Sequence, residues 1–238
     1  MTLLFLAVLT FGASIIGTIA GFGSSTIMLP IVVLFHPLPD ALLLVGIIHA
    51  FNDFWEIVLF RGKFSWNIIL VFGFFGIVSS ALGANLSFVI PQALASRILG
   101  IILVGFVLLI NFDKKLIIPK TNLSYGIGGS LSGVLAGMFG IGGPIRSIFL
   151  TSLNLPKSTY LVTIGILSLS VDATRIIAYL IGGAQIPQTI GFEIFLLIPI
   201  SFIAAEIGKK ILHHIPQRQF RSIVSLFLFI IGVSFIFT

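Results

Sequence analysis

The chain has no cysteine and very little charge. The first absence excludes disulfides, thiolate metal sites and iron–sulfur clusters. Charged side chains make up 8% of the 238 residues against 58% hydrophobic, and the mean hydropathy is +1.22, far outside the range of soluble domains. No Asp, Glu, Lys or Arg occurs in residues 1–39, 64–96, 121–145 or 222–238, so several stretches reach the roughly 20 apolar residues that cross a bilayer core. The apolar–polar alternation of a transmembrane β-strand is also missing, which leaves helices to satisfy the backbone in lipid. No basic segment precedes Leu9, so the first apolar segment is expected to be retained rather than cleaved. The expected fold class is an all-α polytopic membrane protein embedded in a lipid bilayer. The net charge of +6 sits in short loops and reads as a topology signal, not as a nucleic-acid footprint.

What the chain does have is internal self-similarity. Gly17, Ala20 and Gly21 recur 116 residues later as Gly133, Ala136 and Gly137. Leu38-Pro39 recurs as Leu155-Pro156, Gly46 and Asp53 as Gly165 and Asp172, and Gly83 with Pro91-Gln92 as Gly208 with Pro216-Gln217, the offset rising to 125. Residues 1–111 and 123–238 read as two copies of one unit, joined by a polar cytoplasmic linker over 112–122. Glycine and proline cut each copy alike. A helix breaks at Gly21–Ser25 in the first copy and at Gly140–Pro144 in the second; a short piece of roughly 11 residues follows, about 16 Å long and half a bilayer. Long helices are expected near 40–60, 65–89 and 93–111, then near 157–181, 190–212 and 217–237.

Charge placement orients the copies. If each broken pair counts as two crossings or as a returning hairpin, Arg61, Lys63, Lys114, Lys115, Lys120, Lys157, Lys209, Lys210, Arg218 and Arg221 share one face, and only Arg97 lies near the other. The opposite parity divides the same charges almost evenly. The first parity gives inverted copies with both termini outside the cytoplasm, an architecture of secondary transporters.

A broken helix at membrane depth has unpaired backbone groups that must face protein or a water-filled cavity. At the second break Pro144 suits the first helical turn, Gly142 and Gly143 permit close approach, and Arg146 adds a planar fork of donors beside a helix start. The first break offers Gly23, Ser24, Ser25 and Thr26, with hydroxyls and N–H groups but no charge. These residues outline a site for a small anionic substrate. Gly17 and Gly21, four apart, suit tight helix packing instead. Arg146 has two other readings, a structural ion pair or a snorkelling cation.

A second constellation follows each short piece. His49, Asn52, Asp53 and Glu56 fall on one helical stripe, and Ser168, Asp172 and Arg175 form its counterpart, with Arg175 in the place of Glu56. Charges near mid-span cost at least about 3 kcal/mol each against lipid, so both stripes face inward. Two roles compete. Arg175 is a second substrate cation while His49, Asp53, Glu56 or Asp172 couples transport to a proton, with sodium as the other candidate ion; or Asp172 with Arg175 and Asp53 with His49 form a buried structural network. His213 and His214 belong to a basic loop, and Trp55 and Trp66 read as interface anchors.

Together the Ala20-Gly21-Phe22-Gly23 and Ala136-Gly137-Met138-Phe139-Gly140-Ile141-Gly142-Gly143-Pro144 breaks, each followed by a short apolar stretch, Leu-Pro and a polar-striped helix, resemble the sulfite exporter TauE/SafE family of membrane permeases. The resemblance covers essentially the whole chain. It implies transport of sulfite, a sulfonate or a related sulfur-containing or organic anion across a prokaryotic cytoplasmic membrane. Pro144 departs from the commoner triple-glycine break, and Arg146 and Arg175 occur only in the second copy. A channel ranks behind a carrier because no continuous polar pore lining is evident in one chain; homo-oligomerisation is left open. No enzyme motif and no cofactor fingerprint is present. A non-transporting scaffold is the other alternative; two broken helices and mid-membrane charges that cost stability count against it.

Overall fold

The computed structural model describes residues 2–60, 62–111, 118–153, 155–186, 191, 194–211 and 217–237. Among these, ten α-helices follow one another: α1 Leu3–Ala20, α2 Ser25–Val32, α3 Leu38–Phe60, α4 Trp66–Val89, α5 Gln92–Asn111, α6 Asn122–Phe139, α7 Gly143–Thr151, α8 Lys157–Ile181, α9 Ile194–Ile211 and α10 Gln217–Phe237. Among the described residues, four stretches are long and apolar enough to cross a membrane, namely Leu3–Ala20, Leu38–Phe60, Trp66–Val89 and Ser158–Ile181. The protein is all-α and polytopic. Large apolar side chains such as Leu70, Phe74 and Leu82 of α4 point outward, whereas His49, Asp53, Glu56, Arg146, Asp172 and Arg175 are buried. That inside-polar, outside-apolar arrangement suits a bilayer as solvent.

The two short helices are 8 and 9 residues, a little shorter than the expected 11. Thr2 starts α1 by accepting from the N–H of Phe5, and Thr121 starts α6 by accepting from that of Ser124. Both helices stop on a left-handed glycine, Gly21 at φ 72° and Gly140 at φ 65°. The sequence match set Gly21 opposite Gly137 and gave Gly21 a packing role. Instead Gly21 is a helix cap, and Gly137 lies inside α6 with its Cα against the Ser80 carbonyl.

Glycine brings the helices close. Gly129, Gly133 and Gly137 of α6 meet the carbonyls of Phe72, Gly76 and Ser80 on α4, so the two helices run parallel. Gly100 of α5 abuts Gly232 of α10, and Gly208 of α9 abuts Thr18 and Ile15 of α1. At the centre α3 and α8 pack antiparallel. Asp40 at the start of α3 accepts from the Gln185 N–H beyond the end of α8 at 2.8 Å, and Gly62 beyond α3 touches Ser158 at the start of α8. Of the basic loop residues, Arg61, Lys114, Lys115, His213 and His214 lie outside the described residues, as do Pro216 and the side chains of Lys157, Arg218 and Arg221.

Candidate functional site

The two breaks cross at the centre of the molecule. Gly143, the first residue of α7, lies so near the carbonyl of Phe22 that a methyl group there would overlap it. The Gly21 carbonyl, freed by the end of α1, accepts from Ser147 Oγ at 2.6 Å and from Tyr160 Oη at 3.3 Å. Ser132 Oγ donates to the Gly142 carbonyl at 2.9 Å. Each broken backbone is therefore satisfied by side chains, as a break at membrane depth requires. Gly23 (φ 89°) lies against His49 Nε2 with no room for a side chain. Gly17 faces the N–H of Ser24, where a Cβ would stand 2.5 Å away, which is the packing role the sequence suggests.

The polar stripes of α3 and α8 meet beside this crossing. His49 Nδ1 lies 2.5 Å from Asp172 Oδ2 and 3.1 Å from Asp53 Oδ2. Arg175 Nε donates to Asp172 Oδ1 at 2.8 Å, and Arg175 Nη1 donates to the Ala136 carbonyl at 3.3 Å. Tyr179 Oη donates to the Gly137 carbonyl at 2.5 Å. Both expected pairs, Asp172 with Arg175 and Asp53 with His49, are present. The shortest contact of His49 is nevertheless to Asp172 of the other stripe, a pairing that spacing along one helix does not reveal. Glu56 stands apart from these pairs: Thr18 Oγ1 donates to it at 2.8 Å and Asn52 Nδ2 at 3.2 Å.

Arg146 differs from Arg175. Its Nη1 donates to Ser168 Oγ, its Nε has no partner, and among the described residues no carboxylate lies within ion-pair distance of it. Ser24 Oγ, Thr26 Oγ1 and His49 Nε2 are likewise buried without partners. Ser24 and Thr26 are fully buried, and Arg146 and His49 expose only 2% and 3% of their surface, so the crossing is closed to solvent on every side. Ser25 is buried with them at the start of α2. His49, Asp53 and Asp172 each offer a ligand atom within 4.8 Å of the others, the spacing of a cation site. Asp172 already holds Arg175, however, so its charge is compensated by the protein itself.

Sequence reasoning missed Thr18, Ser147, Tyr160 and Tyr179. The two tyrosines carried a signal, because Tyr160, Ser168, Asp172, Arg175 and Tyr179 continue one stripe at multiples of three and four. Thr18 and Ser147 carried none, since a lone hydroxyl in an apolar helix has many uses.

Apolar helices that enclose a buried polar cluster at the meeting of two broken segments define a membrane permease for an ion. A family model described as Sulfite exporter TauE/SafE matches residues 6–235, and the chain belongs to that family. The protein is accordingly a secondary transporter of a small, sulfite-type anion and not an enzyme. No curated protein and no solved structure matches it.

Proposed function

We propose that the anion binds where the two breaks cross, and that residues 1–111 and 123–238 rock about it to give alternating access. The observation that carries this reading is the unpaired, buried Nε of Arg146 in the first turn of α7. A desolvated guanidinium without a carboxylate partner is costly until an anion joins it. Ser24 and Thr26 of the first break are buried with unpartnered hydroxyls, His49 Nε2 lines Gly23, and Gly142, Gly143 and Ser25 stand at two helix starts. A pyramidal oxyanion such as sulfite or a sulfonate head has three oxygens to share among such donors. Arg175, held by Asp172 and the Ala136 carbonyl, takes the structural role, as do Asp53 and Asp172. All these donors come from one chain, so the site needs no second copy.

Reciprocal contacts support an inverted repeat. At a spacing of 119 residues, Gly46 rests on Ile176 while Gly165 rests on Ile57. Gly83 touches the Val134 carbonyl, and its partner Gly208 touches that of Ile15. The caps Gly21 and Gly140 keep this spacing, as do Pro37 and Pro156 ahead of α3 and α8. The antiparallel course of α3 and α8 supports inversion. Lys209 Nζ donates to the Leu59 carbonyl and Lys120 Nζ to that of Leu153, each at 3.0 Å. Contacts of Gly62 with Ser158 and Asn67 with Asn122 bring those ends together, which supports one basic cytoplasmic face and termini on the other side. Lys120 of the linker 112–122 lies among those contacts, while residues 112–117 fall outside the described residues.

Counterflow of labelled sulfite in proteoliposomes tests the site. Arg146→Ala is expected to abolish saturable exchange, with Arg146→Lys retaining part of it. Undiminished exchange in Arg146→Ala would remove Arg146 from the site.

A further inference from the structure

A file of hydroxyls runs along α1 to Glu56. Thr10, Ser14 and Thr18 are spaced four apart, share one helix face and are all buried. Thr18 Oγ1 donates to Glu56, whereas the hydroxyls of Thr10 and Ser14 have no partner. Helical hydroxyls commonly donate back to the carbonyl four residues earlier, as Ser170 and Thr174 of α8 do here. Successive members of the file are about 6 Å apart along the helix. That is close to the span of two hydrogen bonds of about 2.8 Å through a single water.

Close packing does not require these oxygens. The residues 119 further along are Gly129, Gly133 and Gly137, which serve the packing of α6 on α4 with no side chain at all. Glu56 is the second feature confined to the first half, its counterpart being Arg175. Among the described residues it has no cation partner, only Thr18 and Asn52.

Building on the anion site at the crossing, we propose that Glu56 binds a coupling proton that is taken up together with the anion and reaches it along Thr10, Ser14 and Thr18. Arg146 and Arg175 offset Asp53 and Asp172, so the sign of the buried cluster rests on Glu56 and His49. With His49 neutral, an ionised Glu56 leaves the cluster one net negative charge that opposes an anion; a proton on its carboxylate removes that charge. The proton comes from water beyond Thr10. Each hydroxyl or bridging water accepts one proton and passes one on, and an O–H bond forms on Glu56. Other charged or titratable groups on the elements around Glu56 are Asp40, His49 and Asp53 on α3, Arg146 on α7, Lys157, Tyr160, Asp172, Arg175 and Tyr179 on α8, and Glu206, Lys209 and Lys210 on α9. Helices α1, α2 and α4 bring none. His49 is held between Asp53 and Asp172, and Lys209 is engaged with the Leu59 carbonyl.

Three measurements on the purified full chain decide this. A sulfonate, ionised at every pH used, serves as the transported probe. In the wild type, counterflow is expected to fall as pH rises, because proton and anion binding support each other. In Glu56→Gln, a mimic of the protonated acid, that fall is expected to vanish; an unchanged pH profile overturns the proposal. Sulfonate entry into wild-type vesicles is expected to acidify a lumenal pH dye, and Thr10→Val with Ser14→Ala to lose most of that signal. Full acidification in the double variant overturns the hydroxyl route. The third readout needs no transport: infrared difference spectra are expected to show a protonated carboxyl band that is lost in Glu56→Gln. If no sulfonate or sulfite exchange is found, the anion reading fails while this band still decides Glu56, and its absence overturns the proton site.

Discussion

On the proposed repeat, the two halves of this protein share one backbone plan and differ in their side chains. Where α6 presents Gly129, Gly133 and Gly137, α1 presents Thr10, Ser14 and Thr18. Where α7 carries Arg146, α2 carries Ile27, and where α8 has Ser168 and Arg175, α3 has His49 and Glu56. The second half thus holds the buried arginines, and the first holds His49, Glu56 and the file of hydroxyls. Two scaffolds that meet at one crossing can divide the work in this way, because Gly143 of one break meets Phe22 of the other and His49 of α3 meets Asp172 of α8.

The largest test of this division is Arg146→Ala, for which counterflow of labelled sulfite is expected to disappear while the protein still elutes as a folded monodisperse species. Next comes the pair that joins the stripes. Asp172→Asn leaves Arg175 and His49 without their shared carboxylate, and a loss of about 3–5 kcal/mol is expected from breaking a buried pair on one side only. Thermal unfolding in detergent measures it. Replacing Asp172 and Arg175 together by apolar residues of similar size is expected to cost less than Asp172→Asn alone; a larger cost would mean that the pair does more than neutralise itself. Gly143→Ala drives a methyl group into the Phe22 carbonyl and is expected to lower stability by about 1–3 kcal/mol, whereas Gly105→Ala, where a methyl meets nothing within 4 Å, is expected to be silent. Ser147→Ala, which removes one of two donors to the Gly21 carbonyl, is expected to cost about 1 kcal/mol.

Helix boundaries were largely legible because lipid imposes them. Gaps in charge, together with Gly and Pro, bound α3, α4, α5, α8 and α10 to within a residue or two of where they lie. The stripes were legible for the same reason, since ionised groups at mid-span must turn inward. Register was not. In α6, which carries Gly126, Gly128, Gly129, Gly133 and Gly137 before Gly140, a packing glycine and a capping glycine look alike in sequence. Only the left-handed φ of Gly140 and the contact of Gly137 with Ser80 separate them. The His49–Asp172 contact was also hidden, because it depends on how α3 is rotated against α8. Thr18 became meaningful only once Glu56 was seen to lie beside it.

The Gly21 carbonyl is held by Ser147 and Tyr160, residues that leave the ribosome more than a hundred positions later. While the second half is still being made, the break after α1 has an unpaired backbone group with no protein to satisfy it. The newborn first half is therefore an unfinished object, obliged to wait at the insertion machinery or at the lipid–water boundary until α7 and α8 arrive to close it.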